Sequence, residues 1–166
     1  AGIVEKPWFQ AAQEYSDDLS FFHWKLEFPE VYYDVDAHER EDAGFDAIIG
    51  NPPWLGTRTG SIDDRASEYY SREYDVQGQT DLAEVFIKRC VELGEDVGSI
   101  GMVVPKRLAT NEEFENLRQS IAVEETLNYA IDYGVAFEGV NNDAMVIVVN
   151  SDSETDDIKV GERIGE

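Results

Sequence analysis

Asn51-Pro52-Pro53-Trp54 is the stretch whose residue types and spacing could do chemistry. An asparagine oxygen and the backbone carbonyl beside it can both accept hydrogen bonds from one NH2 group. Pro52 offers its carbonyl and no N–H, and the two prolines hold the local backbone still. Two acceptors aimed at a planar exocyclic amine would orient its nitrogen as a nucleophile. They would also stabilise the positive charge that develops as the amine attacks a methyl group. Trp54 could stack on the ring bearing that amine, a contact worth about 1–3 kcal/mol for a base on an aromatic side chain. The same four residues also read as an ordinary strand stop followed by a core tryptophan, and the tetrapeptide alone does not separate the two.

The elements around the tetrapeptide must position it. Phe45-Asp46-Ala47-Ile48-Ile49-Gly50 has the length and β-branched content of a short buried strand, and Gly50 permits a sharp turn at its end. The polar ledge then sits at a strand's carboxyl end, where open α/β sheets bind their ligands. Residues 55–79 show no steady period and read as a long loop holding Arg58, Arg65 and Arg72. These three could meet phosphate, or pair locally with Asp63, Asp64, Glu68 and Glu73. Residues 81–93 predict a helix: Asp81 and Glu84 form a capping-box pattern, Leu82, Val85, Phe86, Cys90 and Leu93 share a face, and Gly94 can cap the end. Cys90 is then a core residue rather than a nucleophile.

Residues 99–104 predict a buried strand ending at Pro105. Asn111 predicts the cap of a second helix carrying Phe114, Leu117 and Ile121. Residues 126–132 and 144–149 read as strands flanking a loop at 135–143. An acidic stretch, 151–166, reads as a linker or a short edge strand, with 157–160 as its strand. The succession predicts an α/β fold, the closing half of a doubly wound, Rossmann-like sheet with an antiparallel hairpin at one edge. No Gly-rich strand-to-helix turn of the cofactor-cradling kind is present, so the opening half is expected to lie elsewhere. Upstream, residues 1–20 carry no clear pattern. The aromatic-rich 21–32 predicts an extended strand or ordered loop in which His23 and Glu27 could line a pocket.

Composition narrows the classes. The 166 residues suit one domain or part of a larger one, and 42% hydrophobic content suffices for a packed core. The 36 acidic residues outnumber the 13 basic ones, for a net charge of -23. A salt-adapted cytoplasm explains this surface, because at about 1 M salt the Debye length is roughly 3 Å and self-repulsion is screened. An acidic protein that simply avoids nucleic acid is the alternative. Cys90 is the only cysteine, which excludes an internal disulfide and fits a reducing, cytoplasmic compartment. No apolar run reaches the length of a membrane span. His23 and His38 have no ligand-like spacing, so no metal is expected.

Phe45–Trp54 resembles motif IV of S-adenosylmethionine-dependent N6-adenine DNA methyltransferases. Thr80-Asp81-Leu82-Ala83-Glu84-Val85-Phe86 is similar to the next helix in the gamma-ordered group. Gly101-Met102-Val103-Val104-Pro105 looks like its next strand. Val135-Ala136-Phe137-Glu138 with Ala144-Met145-Val146-Ile147-Val148 resembles its motif VIII hairpin. Residues 22–31 are similar to a phrase in large fused restriction–modification enzymes and phage-exclusion methylases.

The resemblance spans about residues 20–150 and implies that residues 1–150 are part of a methyltransferase catalytic domain. It implies that Asn51 and the Pro52 carbonyl hold an adenine N6 amine, that Trp54 and Phe137 flank a flipped-out adenine, and that Asn51 and Pro53 border S-adenosyl-L-methionine. The implied partners are double-stranded DNA, an upstream half of the catalytic domain and a target-recognition domain. Methylases of protein glutamine or RNA amines use similar ledges, and a non-catalytic interaction module would keep only the fold.

Overall fold

The computed structural model describes residues 2–76, 80–94, 98–124, 127–136, 142–150 and 157–163, leaving out the side chains of Leu19, Arg58, Val123 and Glu124. The chain divides into two compact units, residues 1–43 and 44–166.

The first unit is helical where the sequence showed no clear pattern. Helix α1, Pro7–Leu19, starts on a proline at its first position with no side-chain cap. Pro fits there because its fixed φ is already helical and its missing N–H would have had no partner. The segment expected to be extended instead forms two single turns, α2, Trp24–Glu27, and α3, Pro29–Tyr32. Its alternation of aromatics is local packing: Trp24 stacks on Phe28 at 5.9 Å, and Phe22 meets Trp24 edge-on at 4.9 Å.

The second unit holds the sheet. Strand β1, Ala47–Gly50, lies parallel to β2, Ser99–Pro105, with Gly50 opposite Met102. Strands β3, Leu127–Val135, and β4, Asp143–Asn150, form the expected antiparallel pair, and β4 also runs antiparallel to β2. Strand β5, Lys159–Glu162, adds parallel to β3, giving the order β1-β2-β4-β3-β5. The α/β class and the half-sheet predicted from the sequence are therefore present.

Helices on one face of this sheet close the core. Helix α4, Asp64–Tyr74, occupies the middle of the segment read as a loop. The overlooked signal is Asp63, whose carboxylate accepts the Ala66 N–H at 2.7 Å as an N-cap. Helix α5, Leu82–Gly94, buries Ala83, Ile87 and Cys90 against Ile100, Met102 and Val104 of β2 and Ile147 and Val149 of β4. A short α6, Arg107–Thr110, leads through a 3-10 turn into α7, Glu115–Gln119, and Phe114, Leu117 and Ile121 complete the core as expected. Burying one such side chain contributes about 1.5–3 kcal/mol.

Two details differ from the sequence reading. Phe86 is 45% exposed because the buried face of α5 is set by Ala83, Ile87 and Cys90. Asn111 makes no side-chain cap; its amide reaches Glu113 instead.

Candidate active site

The ledge leaves the sheet where β1 ends. Asn51 is exposed, Pro52 is buried, and Pro53 and Trp54 are half-buried. Exposure thus runs from Asn51 in solvent through a buried Pro52 to a half-buried Pro53 and Trp54. Because β1 and β2 are parallel, Gly50 and Pro105 end at the same edge, and the segments after both strands meet there.

The segment just past the ledge is tightly seamed. The Leu55 carbonyl accepts the Leu82 N–H at 2.8 Å, and Thr57 N–H donates to the Thr80 carbonyl at 3.0 Å, forming an antiparallel bridge between Gly56 and Asp81. A Cβ on Gly56 would lie 2.7 Å from the Thr80 carbonyl oxygen, so only glycine allows this approach. Thr59 folds its hydroxyl back onto the Gly56 carbonyl at 2.7 Å, and Ser67 of α4 meets the Thr80 hydroxyl at 2.8 Å.

Asp81 and Glu84 do not form the expected reciprocal box. Asp81 Oδ1 accepts the Ala83 N–H at 3.0 Å, while Oδ2 accepts Arg107 Nε at 3.0 Å and Nη2 at 2.5 Å. Glu84 turns the other way and pairs with Lys88 at 3.2 Å. Burial pushes the Glu84 carboxyl up, against the opposing pull of Lys88. Lys88 also donates to the Tyr74 carbonyl at 2.7 Å, pinning the end of α4 to α5.

Beyond β2 the same edge carries a cavity of about 310 Å³ lined by Pro105, Lys106, Arg107, Thr110, Asn142 and Asp143. Lys106 is ion-paired to Asp132 of β3. The Lys106 hydrogen bond, aided by the Gly134 N–H, holds the Asp132 carboxyl below its ordinary range, and the same bond lifts Lys106 above its own.

Of the other residues singled out from the sequence, Phe137 lies outside the described residues, as does the side chain of Arg58. Arg65 and Arg72 are exposed on α4, with Arg72 set 6.0 Å from the Tyr69 ring. His23 and Glu27 are exposed at the two ends of α2 in the first unit. Cys90 is buried in the core, and burial pushes its thiol up, as suits a packing residue. Asp34, Asp36 and His38 approach one another, but all are exposed, and Asp34 Oδ1 already accepts the backbone N–H groups of the other two at 2.9 Å. Among the described residues no helix is long and apolar enough to cross a membrane.

A parallel β1–β2 pair followed by an antiparallel β3–β4 pair, with β4 lying between β2 and β3, is the closing half of a Rossmann-like methyltransferase fold. The type I restriction–modification methyltransferase subunit from Streptococcus thermophilus superposes with a TM-score of 0.56 over 78% of this chain and 28% of its own, at 15% identity. The type IIG restriction endonuclease BpuSI does so with a TM-score of 0.54 over 69% of this chain and 14% of its own, at 22% identity. At these identities the likeness concerns the fold alone.

The sequence match defines the family: residues 2–137 fit the Eco57I restriction-modification methylase family, and the chain belongs to it. The type II restriction enzyme and methyltransferase RM.Eco57I of Escherichia coli is 24% identical over 107 residues, 63% of this chain and 11% of that enzyme. The type II methyltransferase M.BstVI of Geobacillus stearothermophilus is 29% identical over 89 residues, 53% of this chain and 16% of that protein. The chain thus spans a small fraction of the length of these relatives.

Proposed function

We propose that this chain is the base-holding part of a DNA methyltransferase domain that modifies the N6 amine of adenine, within a cytoplasmic restriction–modification or phage-defence enzyme. The observation that carries the reading is the ledge: an exposed Asn51 followed by a buried Pro52, at the carboxyl end of a strand parallel to its neighbour. Family membership supports DNA methylation as the setting.

Asn51 Oδ1 and the Pro52 carbonyl accept the two N–H groups of the amine. That leaves its lone pair directed out of the ring plane and stabilises charge as it builds on nitrogen. Trp54 stacks on the extruded base and offsets part of the few kcal/mol that flipping costs. Phe137 is the second aromatic partner of the base in this reading. Because Asn51 stands in solvent, the proton released from the amine has direct access to water.

The exposed Asn51 amide and the half-buried Pro53 ring fit one wall of a site for S-adenosyl-L-methionine. When bound, that cofactor supplies an electrophilic methyl group. The rest of its pocket belongs to an upstream half of the domain. Strand β1 pairs only with β2 among the described strands, which leaves its other edge open to further sheet, and Ile49, 90% exposed on the face away from the core, suits a face that further structure covers. Residues 1–150 are then part of the catalytic domain, residues 151–166 an acidic linker or edge strand, and sequence reading falls to a separate target-recognition domain.

The test, made on the chain joined to its upstream half because the chain alone is expected to be inactive, is transfer of labelled methyl from S-adenosylmethionine to double-stranded DNA in molar KCl. Label on adenine N6 is expected. Label only on protein glutamine or on RNA would reassign the substrate, and no transfer to any amine would leave an interaction module.

A further inference from the structure

Asp81 and Glu84 are the buried carboxylates among the described residues, and the proposed chemistry uses neither. A carboxylate taken out of water is costly unless its oxygens are satisfied. Asp81, 6% exposed, satisfies both, and in two directions. One oxygen starts α5 by accepting the Ala83 N–H; the other accepts two N–H groups of Arg107, 26 positions further along the chain. A helix start needs only the first of these. The paired N–H groups of the second fix orientation as well as distance.

The backbone of Asp81 is also the partner of Gly56 in the bridge just after the ledge, and Leu55 and Thr57 are bonded to its two neighbours. Arg107 opens α6, two residues past the end of β2. One residue therefore ties the segment leaving β1 to the segment leaving β2, at the edge where both strands end.

We infer that Asp81 is a positioning residue: by gripping Arg107 it sets the Leu55–Thr57 seam, and through it Trp54 and Asn51, relative to β2. The inference rests on the reading of the ledge as an amine-holding site. Setting matters there because a displacement of about 1 Å is worth about 100-fold in rate.

The experiment uses the chain joined to its upstream half and labelled with 5-fluorotryptophan, in which the Trp54 fluorine resonance is assigned by its loss in Trp54→Phe. Asp81→Asn and Arg107→Gln should each shift or broaden that resonance while leaving the other tryptophans in place. Each should lower kcat by about 10–100-fold with little change in KM for DNA or cofactor. The double variant should be no worse than either single one, because the two side chains act as a unit. Arg107→Lys keeps the charge but loses the two-pronged contact, and should fall between wild type and Arg107→Gln.

A Trp54 resonance unmoved in Asp81→Asn, with circular dichroism intact, overturns the inference. If Asp81→Asn does not fold, an unmoved resonance in Arg107→Lys and Arg107→Gln overturns it equally. If the resonance moves while the parent protein transfers no methyl group, the positioning role of Asp81 stands and the reading of the ledge falls, so the two failures are distinguishable.

Discussion

Gly56 and Thr80 approach so closely that a methyl group on Gly56 would sit 2.7 Å from the Thr80 carbonyl oxygen. That oxygen belongs to the seam itself, accepting the Thr57 N–H at 3.0 Å, and cannot retreat without breaking it. Gly56→Ala should therefore destabilise the fold by about 1–3 kcal/mol, the usual cost of forced overpacking. Gly60, which has open space around it but a φ of +69°, is the control: Gly60→Ala should cost only the left-handed strain, about 1–2 kcal/mol, with no loss of the seam. Thermal melts of both, with amide exchange at Thr57 and Leu82 as the local readout, decide between overpacking and simple strain.

Asn51→Ala should separate chemistry from stability. The side chain is exposed, so melting should shift by less than about 0.5 kcal/mol. The rate of methyl transfer should fall on the order of 10²–10³, the loss expected when one charge-stabilising group is removed. Near-normal turnover by this variant would remove Asn51 from the mechanism.

The Lys106–Asp132 pair should give the fold a pH-dependent component. Asp132 is held below its ordinary 3.8, so its contribution is present above that pH and is lost as the pH falls through the lowered value. Lys106 is lifted above its ordinary 10.5, so its contribution is present below that pH and is lost as the pH rises through the raised value. Asp132→Asn should therefore lower the melting temperature between these limits and converge with wild type as the solution is acidified below pH 3.8. A constant offset down to the lowest accessible pH would show that the pair is not the cause.

Salt should act on the whole molecule. The net charge is -23, and among the described residues only Asp81 and Glu84 are buried carboxylates, so the remaining described acids crowd the surface. At about 1 M salt the Debye length of roughly 3 Å screens that crowding. We propose a halophilic setting, in which the chain loses structure in dilute buffer and regains it in molar KCl. Circular dichroism unchanged across that range would rule the setting out.

Cys90 tests the core. Its thiol is buried beside Ile87 and Leu93 on α5, and burial raises its pKa. Alkylation at mildly alkaline pH should be slow in the native protein and fast in concentrated guanidinium chloride. Rapid native labelling would contradict the packing described for α5.

The sequence by itself determined the parts governed by local chemistry and short periods. The β-branched and apolar runs at 47–49, 99–104 and 144–149 were legible as strands, because stiff side chains suit a pleat, although β1 is not the buried strand expected, with Ala47 and Ile49 exposed. The apolar spacing of 82–93 had to be a helix, and Asn-Pro-Pro-Trp had to end a strand, since proline cannot continue the ladder. Helix α4 was missed because its half-buried stripe, Ala66, Tyr70 and Tyr74, is short and set among Arg, Asp, Glu and Ser, so its helical period is carried by few apolar residues; one N-cap aspartate and two first-turn prolines mark the starts of the helices that were missed.

Only the tertiary structure decided that β4 enters between β2 and β3, that Phe86 turns outward, and that Asp81 meets Arg107 instead of completing a capping box. The physical reason is common to all three. Each is fixed by which surfaces are left to bury once several elements have packed, and that competition involves residues too far apart in the chain for any local pattern to record.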